Sequence, residues 1–90
     1  MKNTLLASMD HLHTTNMGKE RILKNLKLSE ATDVILYCKE VINNPLSSVI
    51  LQGKNYYVFL EDTTITINKH SYTIITAHKN KDKRWGYGRE

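Results

Sequence analysis

Gly53-Lys54-Asn55-Tyr56-Tyr57-Val58-Phe59-Leu60-Glu61-Asp62-Thr63-Thr64-Ile65-Thr66-Ile67-Asn68 is the stretch that decides the fold. From Thr63 to Asn68 the residues alternate strictly. Ile65 and Ile67 fall on one face and Thr64, Thr66 and Asn68 on the other, the period of a half-buried strand. Asn55–Glu61, just before it, is rich in aromatic and β-branched residues, and one of Tyr56 and Tyr57 must face away from the core. Glu61-Asp62 and Gly53-Lys54 leave room only for tight turns. Outward from there, Ser47–Gln52 is a short apolar run, Lys69-His70 a third turn, and Ser71–His78 a last strand. Turns this short join antiparallel neighbours, so the spacing predicts a four-stranded antiparallel meander.

A sheet with one apolar face needs a layer to cover it. Leu5, Leu6, Met9 and Leu12 stand at helical spacing within Thr4–Leu12, the first predicted helix. His13-Thr14-Thr15-Asn16 interrupts it, with Gly18 closing the turn, and a second helix is predicted over Lys19–Leu26. A third helix follows, with Ser29 as N-cap, Glu30 and Asp33 in its first turn, and Val34, Ile35, Cys38, Val41 and Ile42 as its apolar face. Asn43-Asn44-Pro45 ends it. The expected class is therefore α+β: three N-terminal helices, then the meander, as a single domain over residues 1–79 with a basic, mobile tail from 80 to 90.

The chain has 90 residues, 40% hydrophobic and 24% charged, which suits one small core. Its single cysteine, Cys38, forbids an intrachain disulfide and lies on the apolar stripe of the third helix, so it reads as a core residue. The apolar start at Met1–Ala7 breaks at Ser8 and Asp10, too early for a secretory leader, and no run is long enough to span a membrane. A cytoplasmic, microbial protein without a membrane partner is expected. The formal charge is +4 and the sequence pI about 9.3. Lys19, Arg21, Lys24 and Lys27 stand against Glu20 in one patch. Lys79, Lys81, Lys83, Arg84 and Arg89 form another in the tail. Two basic patches suit an anionic partner such as RNA, or simply a solvated surface.

No zinc-finger spacing, phosphate-binding glycine loop or cofactor motif is present, so no metal or cofactor is expected. The chemistry gathers at two places. One is His11-Leu12-His13-Thr14-Thr15. The other is the last strand, where alternation sets Tyr72, Ile74, Thr76 and His78 on one face and Ser71, Thr73, Ile75 and Ala77 on the other. Thr76 and His78 would stand about 7 Å apart. Histidine exchanges protons near neutral pH, and threonine, arginine and lysine hold phosphate. His13, His78 and Thr76 are thus the candidate catalytic residues, and Arg21, Lys24, Thr15, Ser71 and Thr73 the candidate phosphate-binding ones. Each also has a plainer reading: a surface histidine, a β-branched strand residue, a solvated cation.

Several strings resemble an uncharacterised small bacterial domain family. They are His13-Thr14-Thr15, Gly18, Arg21-Ile22 and Asn25-Leu26; Tyr37-Cys38-Lys39; Gly53-Lys54-Asn55-Tyr56-Tyr57; and Ser71-Tyr72-Thr73-Ile74-Ile75-Thr76-Ala77-His78-Lys79. The likeness spans residues 11 to 79. More widely, helices before a four-stranded antiparallel sheet with a polar last strand resemble the group uniting barnase, EndoU, the tRNA-cleaving colicins and RelE-type toxins. That resemblance implies RNA cleavage without metal. It would make His13 and His78 the acid–base pair, Thr15, Ser71, Thr73 and Thr76 the polar lining, and Arg21 and Lys24 the phosphate clamp. No glutamate stands where barnase-like members use one, so His13 would take the role of base.

Three readings follow. A small ribonuclease, toxin-like or phage-related, would attack through the ribose 2′-hydroxyl, bring His13 and His78 together across a cleft, and have a cognate acidic inhibitor as partner. A non-catalytic RNA- or protein-binding module, such as a small inhibitor or regulator, would have scattered histidines and a basic surface. A dimer built on an exposed sheet edge would use Ser47–Leu51.

Overall fold

The computed structural model describes residues 2–79, so the tail expected from 80 to 90 lies outside the described residues. Helix α1 spans Lys2–Ala7 and is followed by a 3₁₀ turn at Met9–His11; α2 spans Asn16–Leu26 and α3 Val34–Asn43. Strands β1 (Ser48–Gln52), β2 (Asn55–Leu60), β3 (Thr63–Asn68) and β4 (Ile74–Lys79) form one antiparallel sheet in the order β1-β2-β3-β4. The α+β class and the meander are as the residue pattern predicts. Among the described residues no helix is long and apolar enough to cross a membrane.

The sheet's helix-facing side carries Tyr56 and Val58, Ile65 and Ile67, and Ile74 and Ala77. They meet Leu5, Ile22, Leu26, Val34, Cys38, Val41 and Ile42 from the helices in one apolar cluster. Each fully buried isoleucine or leucine contributes about 1.5–3 kcal/mol, so the registers that bury them are strongly favoured. Tyr57 and Phe59 point to the other side, with Ile50, Thr64, Thr66, Thr76 and His78.

The helices differ from their sequence reading at the ends. The first breaks after Ala7, where the Ser8 N–H bonds the Leu5 carbonyl at 3.0 Å; the 3₁₀ turn then carries the chain to the buried Leu12. The second starts three residues earlier than expected, with the Thr15 hydroxyl as cap, and Gly18 lies inside its first turn rather than in the preceding loop. The third is capped by Asp33, whose carboxylate accepts the Leu36 N–H at 3.0 Å, and not by Ser29. Ser29 instead closes a separate turn by accepting the Ala31 N–H, which leaves Glu30 outside the helix.

The last strand differs most. Asn68–Thr73 is a turn, closed by Tyr72 N–H to Asn68 O and Asn68 N–H to Thr73 O, both at 2.9 Å. Tyr72 takes a left-handed backbone, φ +57°. Within β4, Thr66 pairs with Thr76 but Ile67 pairs with Ile74, so Ile75 is an extra, bulged residue. The bulge breaks simple alternation. Ile74 and Ala77 both enter the core, while Thr76 and His78 share the open face as expected.

Candidate functional site

The two strings singled out in the sequence meet in space. His13 lies against the start of β4 as an isolated parallel bridge to Thr73. Its N–H donates to Tyr72 O at 3.2 Å, and its carbonyl accepts the Ile74 N–H at 2.7 Å. The Thr14 hydroxyl donates to Ile74 O at 2.8 Å, and Thr15 caps α2 by accepting the Gly18 N–H at 3.0 Å. Gly18 lets the first turn of α2 reach β4. A Cβ there would press on Thr14 Oγ1 inside van der Waals contact and stand 3.3 Å from Ile74 O.

This backbone clasp holds a row of polar side chains at the surface. His13 Nδ1 is 2.9 Å from the carbonyl oxygen of His11. A carbonyl only accepts, so Nδ1 carries a proton, and in its neutral form the ring presents its Nε2 lone pair on the other side. Nε2 is 2.9 Å from Thr73 Oγ1, and in that form the hydroxyl donates to it. Thr73 Oγ1 in turn is 2.7 Å from Ser71 Oγ. Asn68 Oδ1 anchors the far end, accepting the His70 N–H at 2.8 Å and the Ser71 N–H at 3.0 Å. Hydroxyl, imidazole and backbone carbonyl therefore form a chain in which Nε2 can take a proton while Nδ1 keeps its own, the His11 carbonyl holding the imidazolium that results.

Beneath the row, the Tyr72 ring lies 6.0 Å from His11 and 6.4 Å from Tyr56, with which it is stacked. Burial, and then the Tyr72 phenol beside it, push the Tyr56 hydroxyl above its ordinary range. The left-handed φ of Tyr72 points its ring inward and its neighbours Ser71 and Thr73 toward His13.

Three of the eight expected site residues are thus brought together: His13, Ser71 and Thr73. Thr15 is next to them in the chain, but its hydroxyl is committed to capping α2. His78 is not part of the group. It is exposed on β4 opposite Thr64, five residues beyond Thr73 and about 15 Å along the strand, so the expected His13–His78 pair does not form. Thr76 lies between, 3.5 Å from Asn25 Nδ2, which also bonds Ala77 O at 3.2 Å. Arg21 sits between Gly18 and Asn25 on the side of α2 that meets β4; Lys24 is one turn on, and both are exposed.

Sequence reasoning gave no site role to Asn68, Tyr72 or Asn25, and named His11 only within the string His11–Thr15. Asparagine favours an Asx turn, in which its side chain accepts the amide two residues on, and that could have marked Asn68 ahead of the Lys69-His70 turn; the others depend on contacts across the fold. Outside this group, an open hollow of about 360 Å³ is lined by Asn16, Lys19, Glu20, Leu23 and Glu30. Cys38 is buried, and desolvation pushes its thiol up to about 12. Among the described residues no three histidine, cysteine, aspartate or glutamate side chains are grouped as metal ligands.

Residues 6–78 match the sequence profile of a family described as a protein of unknown function (DUF3781). No curated protein and no solved structure matches the chain.

Proposed function

The chain belongs to the DUF3781 family, whose description names no activity, and from its own geometry we propose that it is a small ribonuclease centred on His13. The observation that carries this reading is the His13 ring held between the His11 carbonyl and the Thr73 hydroxyl, 2.9 Å from each, in an exposed, hydroxyl-lined row. In the proposed reaction the Thr73 hydroxyl passes its proton to Nε2 and takes that of a ribose 2′-hydroxyl, O2′ attacks the adjacent phosphorus, and the P–O5′ bond breaks. The products are a 2′,3′-cyclic phosphate and a 5′-hydroxyl, whose proton comes from a second acid. His11, two residues away and packed on Tyr72, stands closer to this centre in the chain than His78 and is assigned that role. Lys19, Arg21 and Lys24 on α2 and Lys27 at its C-cap, all exposed, would hold the phosphate backbone.

The separation of His13 from His78 favours a second reading, an RNA-binding module that uses the same basic flank without cleaving. One assay decides between them. The full chain is incubated with single-stranded and structured RNA in EDTA, beside a folded His13→Ala variant. Cyclic-phosphate ends made by the wild type and reduced about 10²–10⁴-fold in the variant support the enzyme. RNA bound but left intact by the wild type supports the binding module.

A further inference from the structure

The sheet has two edges, and among the described residues they differ in how far their backbone groups are engaged. Along β4 the edge is flanked by α2 and bridged at its start by His13. At β1, α1 is in contact with the strand and Lys2 Nζ bonds the Ser47 carbonyl just before it at 3.1 Å, but among the described residues no side chain or loop bonds to Val49 or Leu51. Ser48–Gln52 contains no charge, no proline and no bulge, the devices that keep free edges from pairing. Apolar side chains stand out on both of its faces, Ile50 being 43% exposed and Leu51 38%.

The pairing pattern says which groups are free. Gln52 and Asn55 close the two-residue turn at Gly53-Lys54, so they exchange bonds with each other, and Ile50 and Ser48 follow in step toward β2. The N–H and C=O groups of Val49 and Leu51 then point outward. Reversed about Ile50, the strand complements itself. Ser48 meets Gln52, polar on polar; Val49 meets Leu51, apolar on apolar; Ile50 meets its own copy. Lys19, Arg21 and Lys24 of α2 and Lys27 at its end belong to the helix that packs on β4, three strand spacings or about 14 Å from β1, so they do not oppose such a contact.

We propose that β1 is the seam of a homodimer, paired antiparallel with β1 of a second copy about a two-fold axis at Ile50. Val49 exchanges both backbone bonds with Leu51 of the partner subunit, and the reverse, giving four new hydrogen bonds. Ile50 faces its symmetry mate as a non-hydrogen-bonded pair. The eight-stranded sheet that results leaves the His13 row at both far ends, so the dimer stands independently of the ribonuclease reading.

The test uses the full chain. Light scattering across about 1–200 µM, the range of contacts of this modest size, should show the mass rising from one chain toward two. Ile50→Lys should hold it at one with an unchanged circular dichroism spectrum. The register is tested by oxidation. Ile50→Cys brings two thiols to a Cα separation of about 4.5 Å, within disulfide reach, and should give a covalent dimer. Ser48→Cys stands about 13 Å from its copy and should not. The buried Cys38 does not compete. A monomer at every concentration overturns the proposal, as does a dimer that survives Ile50→Lys, or equal crosslinking at positions 48 and 50.

Discussion

The Nε2 atom of His13 and the Oγ1 atom of Thr73 lie 2.9 Å apart although sixty residues separate them in the chain. Burial does not hold this contact, since it is exposed. The backbone does, through bonds from His13 to Tyr72 and Ile74 and from the Thr14 hydroxyl to Ile74 on either side of it. Side chains at such a position can be exchanged without disturbing the core.

Thr73→Val separates function from folding on that basis. An exposed hydrogen bond contributes about 0.5–1.5 kcal/mol, so the variant should fold with a slightly lowered melting temperature. Its loss frees the imidazole to rotate, and RNA cleavage should fall about tenfold or more. Thr73→Ser should restore it. His78→Ala should leave cleavage within about twofold, because its imidazole is remote from Nε2 by several strand residues. A His78→Ala enzyme as inactive as His13→Ala would return the catalytic centre to the open sheet face.

Gly18→Ala should destabilise even though alanine favours helix. Alanine gains about 1 kcal/mol in helix propensity. Against this, the new methyl displaces the Thr14 hydroxyl from Ile74 O and crowds the β4 backbone. Overpacking of this kind costs about 1–3 kcal/mol, so a net loss is expected in urea denaturation. The double variant Gly18→Ala, Thr14→Ala should be no less stable than Thr14→Ala alone, because the obstructing hydroxyl is gone.

How far the residues announce this structure differs between elements. Asn55–Asn68 is legible to within a residue, because alternation and two-residue turns are local properties, and the structure keeps Thr63–Asn68 unchanged. The buried face of α3 is legible too, through Val34, Cys38, Val41 and Ile42. Ser71-Tyr72-Thr73 reads as strand from its β-branched and aromatic residues, yet forms the end of a turn, because Asn68 claims the Ser71 amide and His13 claims the backbone on either side of Thr73. Both are tertiary effects that propensity does not register. The same holds for the candidate site. His13, Ser71 and Thr73 could be named by chemistry, but which histidine joins them depends on where β4 begins and on the bulge at Ile75.

Cys38 should make the fold sensitive to alkali. Its folded-state thiol is pushed from 9.0 to about 12 by burial, so between those values the unfolded chain has lost a proton the folded chain retains. Stability is then full below pH 9 and declines as pH rises toward about 12, at up to about 1.4 kcal/mol per pH unit. Tyr56, shifted in the same direction, adds to the fall above its own ordinary range. Denaturation measured from pH 8 to 11 should show a shallower decline in Cys38→Ala, which is itself less stable at pH 7 through the lost packing. The native thiol should also resist alkylation until the protein unfolds. An equally steep decline in Cys38→Ala would place the alkaline sensitivity elsewhere.

Two residues with nearly the same left-handed backbone should respond oppositely to glycine. Lys27, φ +56°, ends α2, with its N–H bonding Leu23 O and Lys24 O and the Leu28 N–H bonding Leu23 O. Its side chain is exposed, so Lys27→Gly only relieves the left-handed strain of about 1 kcal/mol, and the melting temperature should rise by about 3–6 °C. Tyr72, φ +57°, bears the same strain, but its ring stacks on Tyr56 and lies against His11. Removing that ring forfeits apolar and aromatic contact worth more than the strain, so Tyr72→Gly should lower the melting temperature. It should also impair cleavage, since the turn that aims Thr73 at His13 becomes free to open. A Tyr72→Gly protein more stable than wild type, with cleavage intact, would mean that the strained turn is dispensable to the site.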